Sequence, residues 1–127
     1  MAHEVIGGVF ALADGTPLPL SKGVRAGDFA FLSGQLGLDE HGKLADGIEA
    51  QTEHCLRNIR GILSEADLDL SHVIKATVWL TDVADFAAFN RVYAAAFSAA
   101  PPVRSTVVSG LVLPGARVEI EVVAYAG

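Results

Sequence analysis

One arginine, Arg104, stands in an apolar segment of the C-terminal part of the sequence. It follows Pro101–Val103 and precedes Ser105–Val108, so its near neighbours are small or apolar. A guanidinium in such a setting is costly unless a partner satisfies its hydrogen-bond donors. Its planar fork of N–H groups fits a carboxylate through two parallel hydrogen bonds. We therefore expect Arg104 to bind either a glutamate of this chain or an anionic ligand.

The candidate glutamates, Glu119 and Glu121, lie two residues apart in an alternating segment that begins at Val118. Residues at this spacing share one face of a strand. Two close carboxyl groups raise each other's pKa when they are removed from water. For Glu119 we keep two alternatives, a catalytic acid or base and an exposed charge on an edge strand. We interpret Glu121 as structural or solvated.

The hydrophobic pattern predicts an α+β fold in the order β-β-α-β-α-β-β, with a mixed β-sheet and two helices packed on one of its faces. Asp46 and Glu49 resemble a capping box at the start of the first helix. In the third strand, Ile74 is expected to share the covered face with the alternate residues that follow it. The predicted strands and helices are Val5–Ala11, Val24–Leu38, the helix Gly47–Ala66, Val73–Leu80, the helix Phe86–Phe97, Arg104–Val108 and Val118–Ala124.

Two helices can cover only one face of this sheet, and 51% of the residues are hydrophobic. The second face must be buried against something else. Association of several copies into a closed oligomer would bury it and would leave clefts between subunits. The length of 127 residues predicts a single domain that spans residues 1–127.

Composition argues against several classes of function. The net charge is −6, which is unfavourable for binding a nucleic acid. Cys55 is the single cysteine, so no intrachain disulfide can form, and the four histidines lack metal-ligand spacing. No stretch is long enough for a membrane span, and no signal peptide is visible at the N-terminus. We expect a cytoplasmic protein with no metal, no cofactor, no membrane contact and no nucleic-acid partner.

Several short segments together resemble one protein family, the Rid family of reactive-intermediate deaminases, also called the YjgF/YER057c/UK114 group. Each segment alone has low specificity, but they occur in the family's order over nearly the whole chain. The segments are Phe31–Gln35, Val73–Asp82, Phe89–Tyr93 with Phe97, Pro102–Thr106, Leu113–Pro114 and Val118–Glu121.

The resemblance implies a chorismate-mutase-like fold, a homotrimer with a site in each inter-subunit cleft, and no cofactor or metal. The implied activity is hydrolytic deamination of reactive 2-imino or enamino acids to 2-keto acids and ammonia. Arg104 would hold the substrate carboxylate and Glu119 would lie near the attacking water. The residues implied to line the cleft and bind substrate are Ser33, Gly34, Asn90, Thr106 and Leu20.

Two positions depart from the family pattern. Leu20 stands where many members carry a tyrosine, and Thr106 stands where a cysteine is common. Thr106 rules out a thiol-based role for that position, although its backbone amide can still donate to a substrate. Because no catalytic triad is apparent around Ser33, we interpret Ser33 as a residue that lines the cleft and forms hydrogen bonds, and not as a nucleophile.

Two other functions compete with deamination. The same cleft could serve a non-catalytic protein that binds a 2-keto acid or another small carboxylate. A ribonuclease, an activity name attached to some family members, is disfavoured by the acidic charge and by the lack of a basic, aromatic surface.

Overall fold

The computed structural model describes residues 2–127 as one mixed β-sheet with two helices on one face, which confirms the predicted α+β fold. The strands are β1 Glu4–Ala11, β2 Pro17–Ala26, β3 Phe29–Leu32, β4 Gln35–Leu36, β5 Val73–Leu80, β6 Val103–Val108 and β7 Val118–Tyr125. The helices are α1 Ile48–Ser64 and α2 Phe86–Ala96, with short 3₁₀ helices at Leu70–His72 and Val83–Asp85. Neither α1 nor α2 is long and apolar enough to cross a membrane.

The sheet has the strand order β1-β2-β3-β7-β5-β6, and β4 also pairs with β7. β5 and β6 are parallel, and α2 forms the crossover between them. The other strand pairs are antiparallel. β7 therefore lies in the middle of the sheet, and β6 lies at one edge.

The two faces of the sheet differ sharply in burial. On the covered face, side chains of the central strands pack under the helices and are almost fully buried; they include Ala76, Val78, Leu80, Val118, Ile120 and Val122. On the opposite face, apolar side chains remain exposed in a single copy of the chain; they include Phe29, Phe31, Val107 and Tyr125. This second face will be called the open face.

The segment Val24–Leu38, predicted as one strand, is instead divided among three strands. β2 begins earlier, at Pro17, and ends at Ala26. Gly27 adopts a positive φ of 59° and turns the chain back into β3, which pairs with β2 in antiparallel fashion. Four strands, and not two, therefore precede the first helix. Because apolar residues lie on both sides of this tight turn, the hydrophobic pattern did not reveal it.

Two smaller predictions were wrong. Ile74 is exposed, because a register shift between Val73 and Lys75 places Val73, and not Ile74, on the covered face. The capping box of Asp46 and Glu49 does not form: Gly47 is the N-cap, and no side chain caps the helix. Gly47 has a φ of 89°, a conformation that a residue without Cβ adopts at little cost.

Candidate active site

Arg104 points to the covered face of the sheet. In β6 it lies opposite Ala76 of β5, which is fully buried. Its Nη1 donates a hydrogen bond of 2.9 Å to Oδ1 of Asn90 on α2. Asn90 therefore lies beside Arg104, and its neutral amide oxygen fixes one edge of the guanidinium.

Three aromatic rings of α2 surround the same guanidinium. The Arg104 Cζ atom lies 4.8 Å from the ring centroid of Tyr93, 5.4 Å from that of Phe89 and 5.7 Å from that of Phe86. Ring faces attract a cation and restrict its motion. Among the described residues, no carboxylate forms an ion pair with Arg104. The alternative of a structural pair with a glutamate was therefore wrong, because both glutamates lie on the other side of the sheet.

Thr106 lies on the same face as Arg104, opposite the fully buried Val78. Its Oγ1 and the hydroxyl of Tyr93 are both buried and lack a hydrogen-bond partner within residues 2–127. We name Asn90, Arg104, Thr106 and the three rings the arginine pocket. It combines one oriented cation with apolar walls, which suits a small organic anion.

Glu119 points to the open face. Glu119 lies opposite Trp79 of β5, and Trp79 lies opposite Val107 of β6, so these three side chains share one face. Side chains alternate between the faces along a strand, and Arg104 is three residues before Val107, so Arg104 and Glu119 point to opposite faces. Partial burial raises the pKa of the Glu119 carboxyl, and the charge of Glu121 raises this pKa further. The predicted mutual effect of the two glutamates is thus present at Glu119, with desolvation as the larger cause. A carboxyl group with a raised pKa is suited to proton transfer near neutral pH.

Gly34 provides the space that Glu119 occupies. A Cβ on residue 34 would lie 2.9 Å from Cδ of Glu119 and would overlap its Oε2. The link between β3 and β4 therefore passes directly beneath the carboxylate. The sequence pattern indicated Gly34 and Glu119 without a reason for a glycine at position 34. The contact with Glu119 supplies that reason.

Ser33 is anchored to β2 beside this contact. Its hydroxyl donates to the carbonyl of Ser21 over 2.7 Å, and its backbone N–H donates to the carbonyl of Lys22 over 2.9 Å. Nε2 of Gln35 donates to the Ser33 carbonyl at 3.1 Å. Leu20, which precedes Ser21, is 39% exposed. We name Ser33, Gly34 and Glu119 the glutamate corner, with Leu20 on the adjoining strand.

Comparison with known proteins identifies the family. The model of the family described as endoribonuclease L-PSP matches residues 15–126. The chain belongs to this family, which is the Rid family. Reactive Intermediate Deaminase A of Arabidopsis thaliana is 42% identical over 84% of the chain and 58% of its own length. The 2-iminobutanoate/2-iminopropanoate deaminase of Capra hircus is 39% identical over 86% of the chain and 81% of its own length.

Solved structures of Rid proteins share the fold. The crystal structure of Escherichia coli TdcF with bound serine has a TM-score of 0.87 and 31% identity, and the match covers 98% of the chain and 99% of TdcF. RidA from the Antarctic bacterium Psychrobacter sp. PAMC 21119 has a TM-score of 0.84 at 34% identity, with 98% of each chain covered.

One hydrogen-bond network that supports the site in this Rid protein was not predicted from the sequence. The guanidinium of Arg117 contacts both carboxylate oxygens of the buried Asp85, at 3.0 Å and 2.7 Å. Its backbone N–H donates to Oε1 of Gln51 over 2.8 Å. These contacts attach the start of β7, two residues before Glu119, to α1 and to the residue that precedes α2. Two parallel hydrogen bonds fix the relative orientation of this pair more closely than a single contact would.

Proposed function

We propose that this Rid protein hydrolyses reactive 2-imino or enamino acids to 2-keto acids and ammonia. One observation carries the proposal: the Arg104 guanidinium is oriented by the neutral Asn90 and has no carboxylate partner within residues 2–127. A partly buried cation held in this way is prepared for an external carboxylate. The two relatives named as deaminases support the reaction class.

We also propose that the site forms between two copies of a homotrimer. Arg104 and Glu119 point to opposite faces of one sheet, so a single copy cannot present both to one small substrate. A second copy against the open face would supply the missing residue and bury exposed apolar groups such as Phe31 and Val107. In this arrangement the arginine pocket of one subunit faces the glutamate corner of the next.

The proposed reaction begins with the substrate carboxylate on Arg104, which fixes the position of C2. Glu119 accepts a proton from water as the water oxygen bonds to C2, and the electron pair of the C=N bond moves to nitrogen. Glu119 then returns the proton to nitrogen. Glu119 next accepts the hydroxyl proton of this carbinolamine and passes it to the NH2 group; as the C–N bond breaks, ammonia leaves and the oxygen electron pair forms the C=O of the 2-keto acid.

We propose that this reaction uses no cofactor and no metal, and that the protein is cytoplasmic. An imine is already activated toward water, so positioning and proton transfer account for catalysis by side chains alone. Thr106 takes part through its backbone or hydroxyl, since it has no thiol.

A non-catalytic protein that binds small carboxylates is the second candidate. It is favoured by the arginine pocket itself, which needs no catalytic group, and by TdcF, whose structure contains bound serine. A ribonuclease, the activity in the family's description, is a poorer fit because acidic residues outnumber basic ones by 15 to 9.

The deciding experiment generates imines from a panel of amino acids with an amino-acid oxidase. The release of 2-keto acid and ammonia is measured with and without this protein. We expect faster release with the parent protein and a loss of at least about tenfold in Glu119→Gln. Unchanged release together with tight binding of 2-keto acids would favour the binding protein. Cleavage of RNA without imine hydrolysis would favour the ribonuclease.

A further inference from the structure

Glu119 belongs to a row of side chains that runs across the open face. Opposite it lie Trp79 of β5 on one side and Leu36 of β4 on the other, and Val107 of β6 continues the row beyond Trp79. Directly opposed residues of antiparallel strands have Cβ atoms about 4.5–5.5 Å apart. The Glu119 carboxyl is therefore flanked by two apolar side chains, and the indole of Trp79 is the larger of them.

Glu121 provides an internal comparison, because it lies on the same strand and the same face. Its neighbour on β5 is Thr77, and Ser105 of β6 follows, so hydroxyl groups occupy this second row. Glu121 is exposed, whereas Glu119 is partly buried. Burial is also the largest cause that raises the pKa of Glu119. The difference in burial between the two glutamates thus follows the difference between an indole and a hydroxyl beside them.

We infer that Trp79 is a positioning residue for Glu119: its indole keeps water from one side of the carboxyl group and so sets the pH range in which Glu119 transfers a proton. This inference rests on the proposed function, in which Glu119 is the proton-transfer group. A carboxylate that has lost part of its hydration holds a proton to higher pH and is a stronger base once ionised. Gly34 covers another part of the same carboxyl group.

The charged and titratable groups that face Glu119 come from four elements. Glu121 on β7 raises its pKa, and Lys75 lies on the same face of β5. On α1 the buried Cys55 thiol interacts with the Glu119 charge. In the proposed trimer, Arg104 of the partner subunit would favour the ionised carboxylate. β4, the link before it and the open face of β6 carry no titratable side chain. A substitution of the indole leaves all four groups in place.

Fluorescence tests the contact without any substrate. Trp79 is the single tryptophan of the chain, so the tryptophan emission arises from this residue alone. The emission of the assembled protein is recorded against pH. We expect a transition in the acidic range that is absent in Glu119→Gln. The transition should remain in Glu121→Gln with a lower midpoint, because the charge of Glu121 no longer raises the pKa of Glu119.

The pH profile of kcat/KM for imine hydrolysis tests the consequence. Trp79→Thr gives Glu119 the β5 neighbour that Glu121 has. We expect its acid limb to move to lower pH and kcat/KM at pH 7 to fall about threefold or more, because a weaker base accepts the proton less readily. Trp79→Phe keeps an apolar ring and should keep the parental acid limb. Thr77→Val changes the neighbour of Glu121 instead and should also keep it. Light scattering checks that each variant keeps the parental assembly.

Three results would overturn the inference and leave the proposed function standing. They are a parent without the fluorescence transition, the same transition in Glu119→Gln, and a Trp79→Thr acid limb that coincides with the parental one. If Trp79→Thr does not fold, the comparison of the parent with Glu119→Gln decides. A parent that hydrolyses no imine would contradict the proposed function, whereas a transition that disappears in Glu119→Gln would still support the contact.

Discussion

The carboxylate of Glu119 fills the space that a side chain on Gly34 would need. Gly34 belongs to the link between β3 and β4, and Glu119 belongs to β7, so the contact joins two separate parts of the sheet. The obstacle to a larger residue at position 34 is the end of a flexible side chain and not the backbone. The position therefore constrains where the carboxylate lies more than it constrains the fold.

Gly34→Ala should displace Glu119 and lower kcat/KM for imine hydrolysis at least about tenfold, because a misplaced proton-transfer group loses much of its effect. The free energy of unfolding should fall by less than about 1 kcal/mol, since Glu119 can swing toward solvent. Gly37→Ala is the contrasting variant: its Cβ would lie 2.6 Å from Cα of Gln51, so it should lower stability. Equal activity of Gly34→Ala and the parent would show that the position of Glu119 is unimportant.

Arg104→Lys should not be a conservative change. Lysine lacks the planar fork that bonds Asn90 on one edge and leaves other N–H groups for a carboxylate. We expect kcat/KM to fall at least about tenfold and the affinity for 2-keto acids to fall with it. The melting temperature of the same variant supplies the control. A folded variant with parental activity would make Arg104 a structural residue.

Glu119→Gln should lower activity and raise stability at neutral pH. Burial raises the pKa of Glu119 above its ordinary value of 4.5. The folded protein therefore binds this proton more tightly than the unfolded chain does. Below pH 4.5 the carboxyl is largely protonated in both the folded and the unfolded state, so it does not lower the free energy of unfolding. As the pH rises through the raised pKa, ionisation of the half-buried carboxyl lowers the free energy of unfolding. We expect Glu119→Gln to increase Tm by roughly 1–3 °C at pH 7 and by nothing at pH 4. A lower Tm at pH 7 would contradict this account.

Alkylating reagents should leave the activity of the folded protein unchanged. Cys55 is fully buried in α1, and burial raises the pKa of its thiol well above the ordinary range. Thiolate is the reactive form, so the folded protein offers almost none. Mass spectrometry should detect modification only after unfolding in denaturant. Rapid labelling of native protein with loss of activity would show that Cys55 is accessible.

Much of the fold was predictable because its strands and helices carry strong periodic patterns. The central strands alternate cleanly, and α1 presents a regular apolar stripe that includes Cys55. The turn at Gly27 and the displacement of Ile74 were missed for a shared reason. A tight turn and a bulge each change the direction of side chains within a run of apolar residues, and composition does not reveal where this occurs.

The sequence predicted which residues belong to the candidate site but not how their side chains are arranged. The odd charge in an apolar segment marked Arg104, and family resemblance added Asn90, Ser33 and Gly34. Sequence spacing could not show that Arg104 and Glu119 face opposite ways, because that depends on the pairing register of three strands. Nor could it show that three aromatic rings of α2 surround Arg104.

The most direct test of the two-copy site uses two variants with impaired activity, Arg104→Ala and Glu119→Gln. Each is purified, the two are unfolded and refolded together in equal amounts, and hydrolysis of 2-iminobutanoate is measured. If each site takes Arg104 from one subunit and Glu119 from another, each mixed trimer has one site of three with both residues, which is about one quarter of all the sites in the refolded population. We predict that the mixture recovers about one quarter of the parental activity, whereas each variant refolded alone stays at or below about one tenth of it. A mixture with no more activity than the separate variants would contradict a site built from two copies.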